Sequence, residues 1–224
     1  RAPGGDPRTA LALMDGEYPG AERMPQQVLD LIGFLGGTLP ATHPYVKVKA
    51  QPSGETSPEI WLLGSSDYGG ALAAQLGLRF AFAHFISAFG GDVVSRAYRQ
   101  HFEPTQREPQ PRSIVCAFVI CAKTRAEAER LAASVDLRRL HMAKGVDAPV
   151  PSAEEALAYR YSLQERAYVE QQRARLVHGD PGEVREKLLA LKEKFEADEL
   201  MAVTITGDPE SRRTSYRLVA EAFA

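Results

Sequence analysis

Short runs of β-branched and aromatic residues alternate with longer amphipathic stretches along the chain, the pattern of βα units around a parallel sheet. In residues 23–36, Val28, Leu31, Ile32 and Leu35 share one helical face, and Gly36-Gly37 followed by Pro40 supplies a stop signal. Residues 44–52 alternate apolar and basic positions through Val46, Lys47, Val48 and Lys49, which predicts an exposed edge strand or hairpin inserted between units. Glu59 to Leu63 predicts a short buried strand, after which Gly64, Ser65, Ser66 and Asp67 turn the chain into an alanine-rich helix from Tyr68 to Leu76. Gly77 ends that helix, Arg79 to Ile86 predicts the next strand, and Gly90, Gly91 and Asp92 lead into a helix through Val93, Ala97 and Tyr98. A longer strand follows over Ser113 to Ala122. Thr124 and Glu127 then have the spacing of a capping box, ahead of a helix with Ala128, Leu131, Ala132 and Val135 on one face.

Residues 139–175 are polar and tyrosine-containing, with prolines at Pro149 and Pro151, and predict short helices in an insertion or lid. Asp180-Pro181 starts a helix whose inward side is Val184, Leu188, Leu191 and Phe195. Leu200 to Ile205 predicts a strand, and Pro209 to Phe223 a closing helix burying Tyr216, Val219, Ala220 and Phe223. Four central strands therefore lie near residues 59, 79, 112 and 200, half of what a complete eight-stranded (β/α)8 barrel needs over its roughly 250 residues. The expected class is α/β, as a single domain over residues 1–224.

Composition narrows the partners. A 44% hydrophobic content supports a substantial core, while charges split almost evenly to a net −2 leave no field that would draw nucleic acid or an anionic membrane. The apolar run from Phe80 to Phe89 follows Arg79, is interrupted by His84, and falls short of the roughly 20 residues of a membrane helix. No basic, apolar and small-residue cleavage pattern opens the chain, so a cytoplasmic location is the expectation. Cys116 and Cys121 lie in one strand, five steps of about 3.3 Å apart, and are read as reduced core residues. A start at Arg1 without methionine, with no strand before it, suggests a fragment.

Candidate chemistry concentrates at the Gly64-Ser65-Ser66 turn, which joins backbone N–H groups, two hydroxyls and the positive end of a helix, a combination suited to a phosphate. Ser66 or Asp67 also suits a plain helix cap, and Gly69 permits either close backbone approach at the first helical turn or tight packing. His84 closes an apolar strand, where it serves either to face a ligand or as a core histidine bonded to backbone; alternation puts it on the same face as Phe82. The histidines at 43, 101, 141 and 178 are scattered without ligand spacing, so no metal site is expected. Residues 185–196 form the solvated face of an amphipathic helix, and no strand-GxGxxG-helix order marks a dinucleotide fold.

Several segments together resemble the bacterial luciferase-like flavin-dependent monooxygenases. They are Arg1-Ala2-Pro3-Gly4-Gly5-Asp6, Glu59-Ile60-Trp61-Leu62-Leu63-Gly64-Ser65-Ser66 with Ala73-Ala74-Gln75-Leu76-Gly77-Leu78, Phe82-Ala83-His84-Phe85, and Val177-His178-Gly179-Asp180-Pro181-Gly182-Glu183-Val184. The resemblance implies a TIM barrel of which this chain holds strands five to eight and their helices. It also implies FMN in its reduced form, supplied by a separate flavin reductase, with oxygen acting on a small organic substrate. Arg1, Gly64, Ser65, Ser66 and Gly69 then become flavin-phosphate contacts, His84 a possible catalytic group, and a homo-oligomer is expected. The alternatives are a shortened relative that binds flavin or a partner without catalysis, and a deazaflavin-dependent oxidoreductase.

Overall fold

The computed structural model describes residues 8, 11–12, 21–52, 54 and 56–224; Arg1 and Asp6, both named above, lie outside them. After a 3-10 turn over Ala21–Arg23 comes helix α1 (Met24–Gly36), closed by Gly37 in the left-handed region at φ 64°, as the Gly-Gly stop predicts. The units expected next all form: β1 (Trp61–Gly64), α2 (Asp67–Gln75), β2 (Arg79–Ala83), α3 (Gly91–Gln100) and β3 (Ser113–Cys121). Helix α4 (Arg125–Ala143) is followed by the short α5 (Ala153–Ala158) and by α6 (Leu163–Arg173). Strand β4 (Leu176–Gly179), α7 (Pro181–Lys194), β5 (Glu199–Val203) and α8 (Pro209–Phe223) complete the order.

All five strands among the described residues are parallel. β1 pairs with β2 and β2 with the first half of β3, whereas β5 pairs with β3 over Ile114–Phe118 and β4 over Phe118–Cys121. Three expectations change. Residues 44–52 fold into turns rather than an edge strand, with Val46 N–H donating to His43 and Val48 N–H to Tyr45. A fifth strand, β4, forms where a turn alone was expected, because nine-residue β3 is long enough to offer a second pairing segment beyond β5. On α8 the buried residues are Ser215 and Leu218, while Tyr216 and Phe223 are exposed, since the hydroxyls of Ser215 and Tyr216 answer backbone N–H groups of Cys121 and Thr204.

Alternation along β3 divides the core. Val115 joins Leu62, Phe80, Phe82, Leu72, Tyr98 and Phe195, and Ala117, Val119 and Cys121 continue this face against Val184 and Leu188 of α7 and Leu218 of α8. On the opposite face Ile114 and Cys116 meet Ala81, with Trp61, Leu63 and Phe85 beside them. Farther along this second face, Phe118 and Ile120 meet Ala128, Leu131, Ala132 and Val135 of α4. Helix α4 therefore packs on the other side of β3 from α7 and α8. It carries α5 and α6 with it, through Ala133, Leu137 and Leu140 against Ala156, Tyr159 and Tyr168.

Buried hydroxyls pin these layers. Tyr98 Oη accepts from Arg112 N at 3.1 Å and lies 2.9 Å from Leu78 O and 3.0 Å from Arg112 O, tying α3 to the starts of β2 and β3. Thr204 Oγ1 donates to Val119 O at 2.7 Å and meets Ser215 Oγ at 3.2 Å, which fixes the end of β5 to β3 and α8. Cys116 and Cys121 are both free and buried, and burial pushes each thiol up to about 11.

Candidate functional site

In a parallel sheet the side chains that do chemistry gather where the strands end and the following turns begin. At the end of β1, Gly64 gives way to a half-buried Ser65 and an exposed Ser66 at the N-cap of α2. Gly64 and Gly69 pack against each other: a β-carbon on either would lie 3.4 Å from the other's Cα, so the first turn of α2 folds closely over the strand end. Tight packing is thus the role that Gly69 takes in the fold. Ser66 makes no side-chain cap bond, and Asp67 Oδ1 accepts from Tyr68 N at 2.8 Å instead. The plain capping role of Ser66 is therefore absent, and the hydroxyls of Ser65 and Ser66 are both free among the described residues.

Just past β2, His84 is buried at 6% exposure with its ring edge-on to Phe195 at 5.8 Å; Phe82 meets the same ring at 5.2 Å. The shared face of Phe82 and His84 is thus an aromatic layer closed by the residue after α7. Nδ1 of His84 has no hydrogen-bond partner among the described residues, so the ring is not held by backbone. Burial holds its pKa below the ordinary value, and the cations Lys194, Arg175 and Arg139 press it the same way. His84 is accordingly neutral at pH 7.

The next two residues, Phe85 and Ile86, line a cavity of about 540 Å³. Phe118 of β3 and Ile205, just past β5, close it from the sheet; Arg138, Arg139 and Met142 of α4 and Tyr168 of α6 close it from the other side. Its position explains the packing of α4 on the second face of β3: the helices between β3 and α7 form a wall over the strand ends. Arg139 lies over the Phe118 ring, its Cζ 5.2 Å from the centroid, and its Nη1 donates to Gln172 O at 2.6 Å. Burial lowers the Arg139 pKa to about 10, which leaves it cationic at neutral pH. None of these cavity residues follows from sequence reasoning. The Arg138-Arg139 pair stands where the periodicity of α4 fades into polar sequence, and Arg175 lies alone before β4.

Deeper between α4, α6 and β4 lies a closed charge network. Arg173 Nε lies 2.8 Å from both Asp136 carboxylate oxygens, Arg173 also pairs with Glu129 at 3.0 Å, and Glu129 meets His178 Nε2 at 2.7 Å. Burial raises the Asp136 pKa, while Asp136 and Glu129 hold that of Arg173 up against its own burial, and the pair ties α6 to α4. Among the described residues no group of three or more His, Cys, Asp or Glu is arranged to hold a metal ion, and no helix is long and apolar enough to cross a membrane.

A parallel α/β sheet here carries an open hydroxyl turn after one strand and an apolar, arginine-lined cavity over the strand ends. The chain belongs to the luciferase-like monooxygenase family, whose pattern matches residues 34–211. It is 40% identical to the uncharacterized protein YceB of Bacillus subtilis over the whole of this chain and 67% of that protein. The crystal structure of apo-MsnO8 superposes with a TM-score of 0.87 at 32% identity, over 97% of this chain and 65% of that one. The fold also matches the oxygenating constituent of 3,6-diketocamphane monooxygenase from Pseudomonas putida in complex with FMN, with a TM-score of 0.60 at 18% identity, over 98% of this chain and 68% of that one. The chain thus spans about two thirds of the relatives it matches.

Proposed function

We propose that this chain is the flavin-binding and substrate-facing part of an FMN-dependent monooxygenase that uses reduced flavin and molecular oxygen on an organic substrate. The observation that carries the reading is the Gly64-Ser65-Ser66 turn, in a chain of the luciferase-like family: it opens a helix, and neither hydroxyl is spent on capping among the described residues. The residues fit a flavin phosphate. Ser65 and Ser66 would donate to it, the Gly64-Gly69 contact would let the backbone approach, and Arg1 would add a guanidinium.

When bound, the flavin supplies the electrons and the oxygen chemistry, and the protein supplies binding, orientation and exclusion of water. Phe85, Ile86, Phe118 and Ile205 form the apolar wall that would exclude water from the reacting atoms. His84, which precedes that wall in the chain and packs on Phe195, has Nδ1 unpaired among the described residues and would hold or accept one proton without carrying a resting charge. The reading extends to a (β/α)8 barrel in which β1, β2, β3 and β5 are strands five to eight, and to a lid built by residues 139–175. It further includes a separate reductase that supplies reduced flavin, a homo-oligomer, and a cytoplasmic location.

Titration with FMN, followed by flavin fluorescence, tests this directly on the purified protein and on its Ser65→Ala/Ser66→Ala variant. Each hydroxyl donating to a charged phosphate is worth roughly 1.5–3 kcal/mol, so the double variant should bind at least roughly tenfold more weakly. Unchanged affinity would remove the phosphate role of the turn.

A further inference from the structure

The cavity over the strand ends has apolar walls and three arginines, and the described residues that line it include no acid. Nearby carboxylates are engaged elsewhere: Asp136 and Glu129 by Arg173, and Glu165 by Lys144 and Tyr159. Asp136 acts on Arg139 through space, but Arg138, Arg139 and Arg175 make no direct ion pair with a carboxylate among the described residues, and Nη2 of Arg139 is buried without any hydrogen-bond partner. A guanidinium held against an aromatic ring with one donor face unspent is a costly arrangement unless an anion completes it. Its planar fork matches a carboxylate.

We infer that the substrate bound in this cavity is an organic anion, with an apolar body against Phe85, Phe118 and Ile205 and a carboxylate received by Arg139 and Arg175. This rests on the flavin reading for the reaction but not for the binding. Arg139 is fixed by Gln172 O and the Phe118 ring, so it serves as the orienting contact. Arg175 follows α6, so the same anion would bring the α6 end toward the strand ends. A cavity of about 540 Å³ falls within the range of small-molecule sites, which accommodates a medium-chain acid.

The test is calorimetric titration of the purified protein, without flavin, with octanoate, octanol and octylamine, beside Arg139→Met and Arg175→Met. Thermal melts check that each variant folds, and FMN fluorescence titration is run on every protein. Octanoate should bind roughly tenfold or more tightly than octanol, with octylamine weakest, and each variant should lose that preference while retaining FMN affinity. If one variant fails to fold, the other carries the comparison. Equal binding of octanoate and octanol, or a preference unchanged in both variants, would overturn the inference. Loss of FMN together with octanoate would also overturn it, because the arginines would then serve the flavin phosphate. Octanoate binding that depends on the arginines in a protein that does not bind FMN would uphold the anion site and reject the flavin reading instead.

Discussion

Replacing Tyr98 with phenylalanine removes one oxygen from a ring that is only 1% exposed and leaves its packing on Phe80 and Phe102 in place. The hydroxyl accepts from Arg112 N and has one proton to give, either to Leu78 O or to Arg112 O. Arg112 O keeps a second donor, Phe80 N at 3.0 Å, so its loss is partial. Arg112 N–H, by contrast, loses its acceptor in a partly buried bond, although the residue as a whole is exposed. An unsatisfied buried donor costs roughly 1–3 kcal/mol, and the lost donated bond adds about 1 kcal/mol, so Tyr98→Phe should destabilise by roughly 2–4 kcal/mol. For a chain of this size each kcal/mol moves Tm by about 2–4 °C, which puts the expected fall at roughly 5–15 °C by circular dichroism. FMN affinity should change little, because the Tyr98 bonds lie at the starts of β2 and β3, away from the strand ends. A fall under about 1 °C would refute the reasoning, since it would mean that water or a backbone shift satisfies Arg112 at no cost.

Gly91→Ala would bring a β-carbon to 2.3 Å from the Phe82 ring and 2.8 Å from Phe195, and overpacking of this kind should cost roughly 1–3 kcal/mol, read by chemical denaturation. Thr204→Val keeps shape but removes the donor to Val119 O and the contact with Ser215, and a destabilisation of roughly 1–3 kcal/mol in the same assay is expected. His84 should make the protein pH-sensitive: its folded pKa is depressed, so its contribution is fully present above the unfolded value near 6.5 and is lost as pH falls toward the folded one. The fall in Tm between pH 7.5 and 5 should be smaller in His84→Gln, and an identical fall would show that other groups govern it. Ser215→Ala leaves Cys121 N–H without its 2.9 Å acceptor in the buried end of β3, and faster amide exchange at Cys121 is the expected signature.

Local signals specify much of this protein. Gly37 past α1, the Thr124 cap before α4 and the Asp180-Pro181 start of α7 act through backbone groups a few residues away, so they survive in the sequence. The Gly64-Ser65-Ser66 turn is legible for the same reason, being one strand end and one helix start. At Thr124 only half the predicted box forms: its hydroxyl accepts from Glu127 N, while the Glu127 carboxylate turns to Arg130.

What only the tertiary structure decided involves partners distant along the chain. β4 exists because Leu176–Gly179 finds the last residues of β3, some 58 positions earlier, and four residues carry too weak a pattern to announce a strand alone. The buried face of α8 departs from its hydrophobic periodicity because Ser215 answers a backbone N–H in β3, a demand that periodicity does not encode. The cavity draws Phe85, Phe118, Arg139, Arg175 and Ile205 from five separate segments. Each reads locally as an ordinary apolar or solvated residue; their shared chemistry begins when α4 crosses to the second face of β3, which contacts across the whole chain determine.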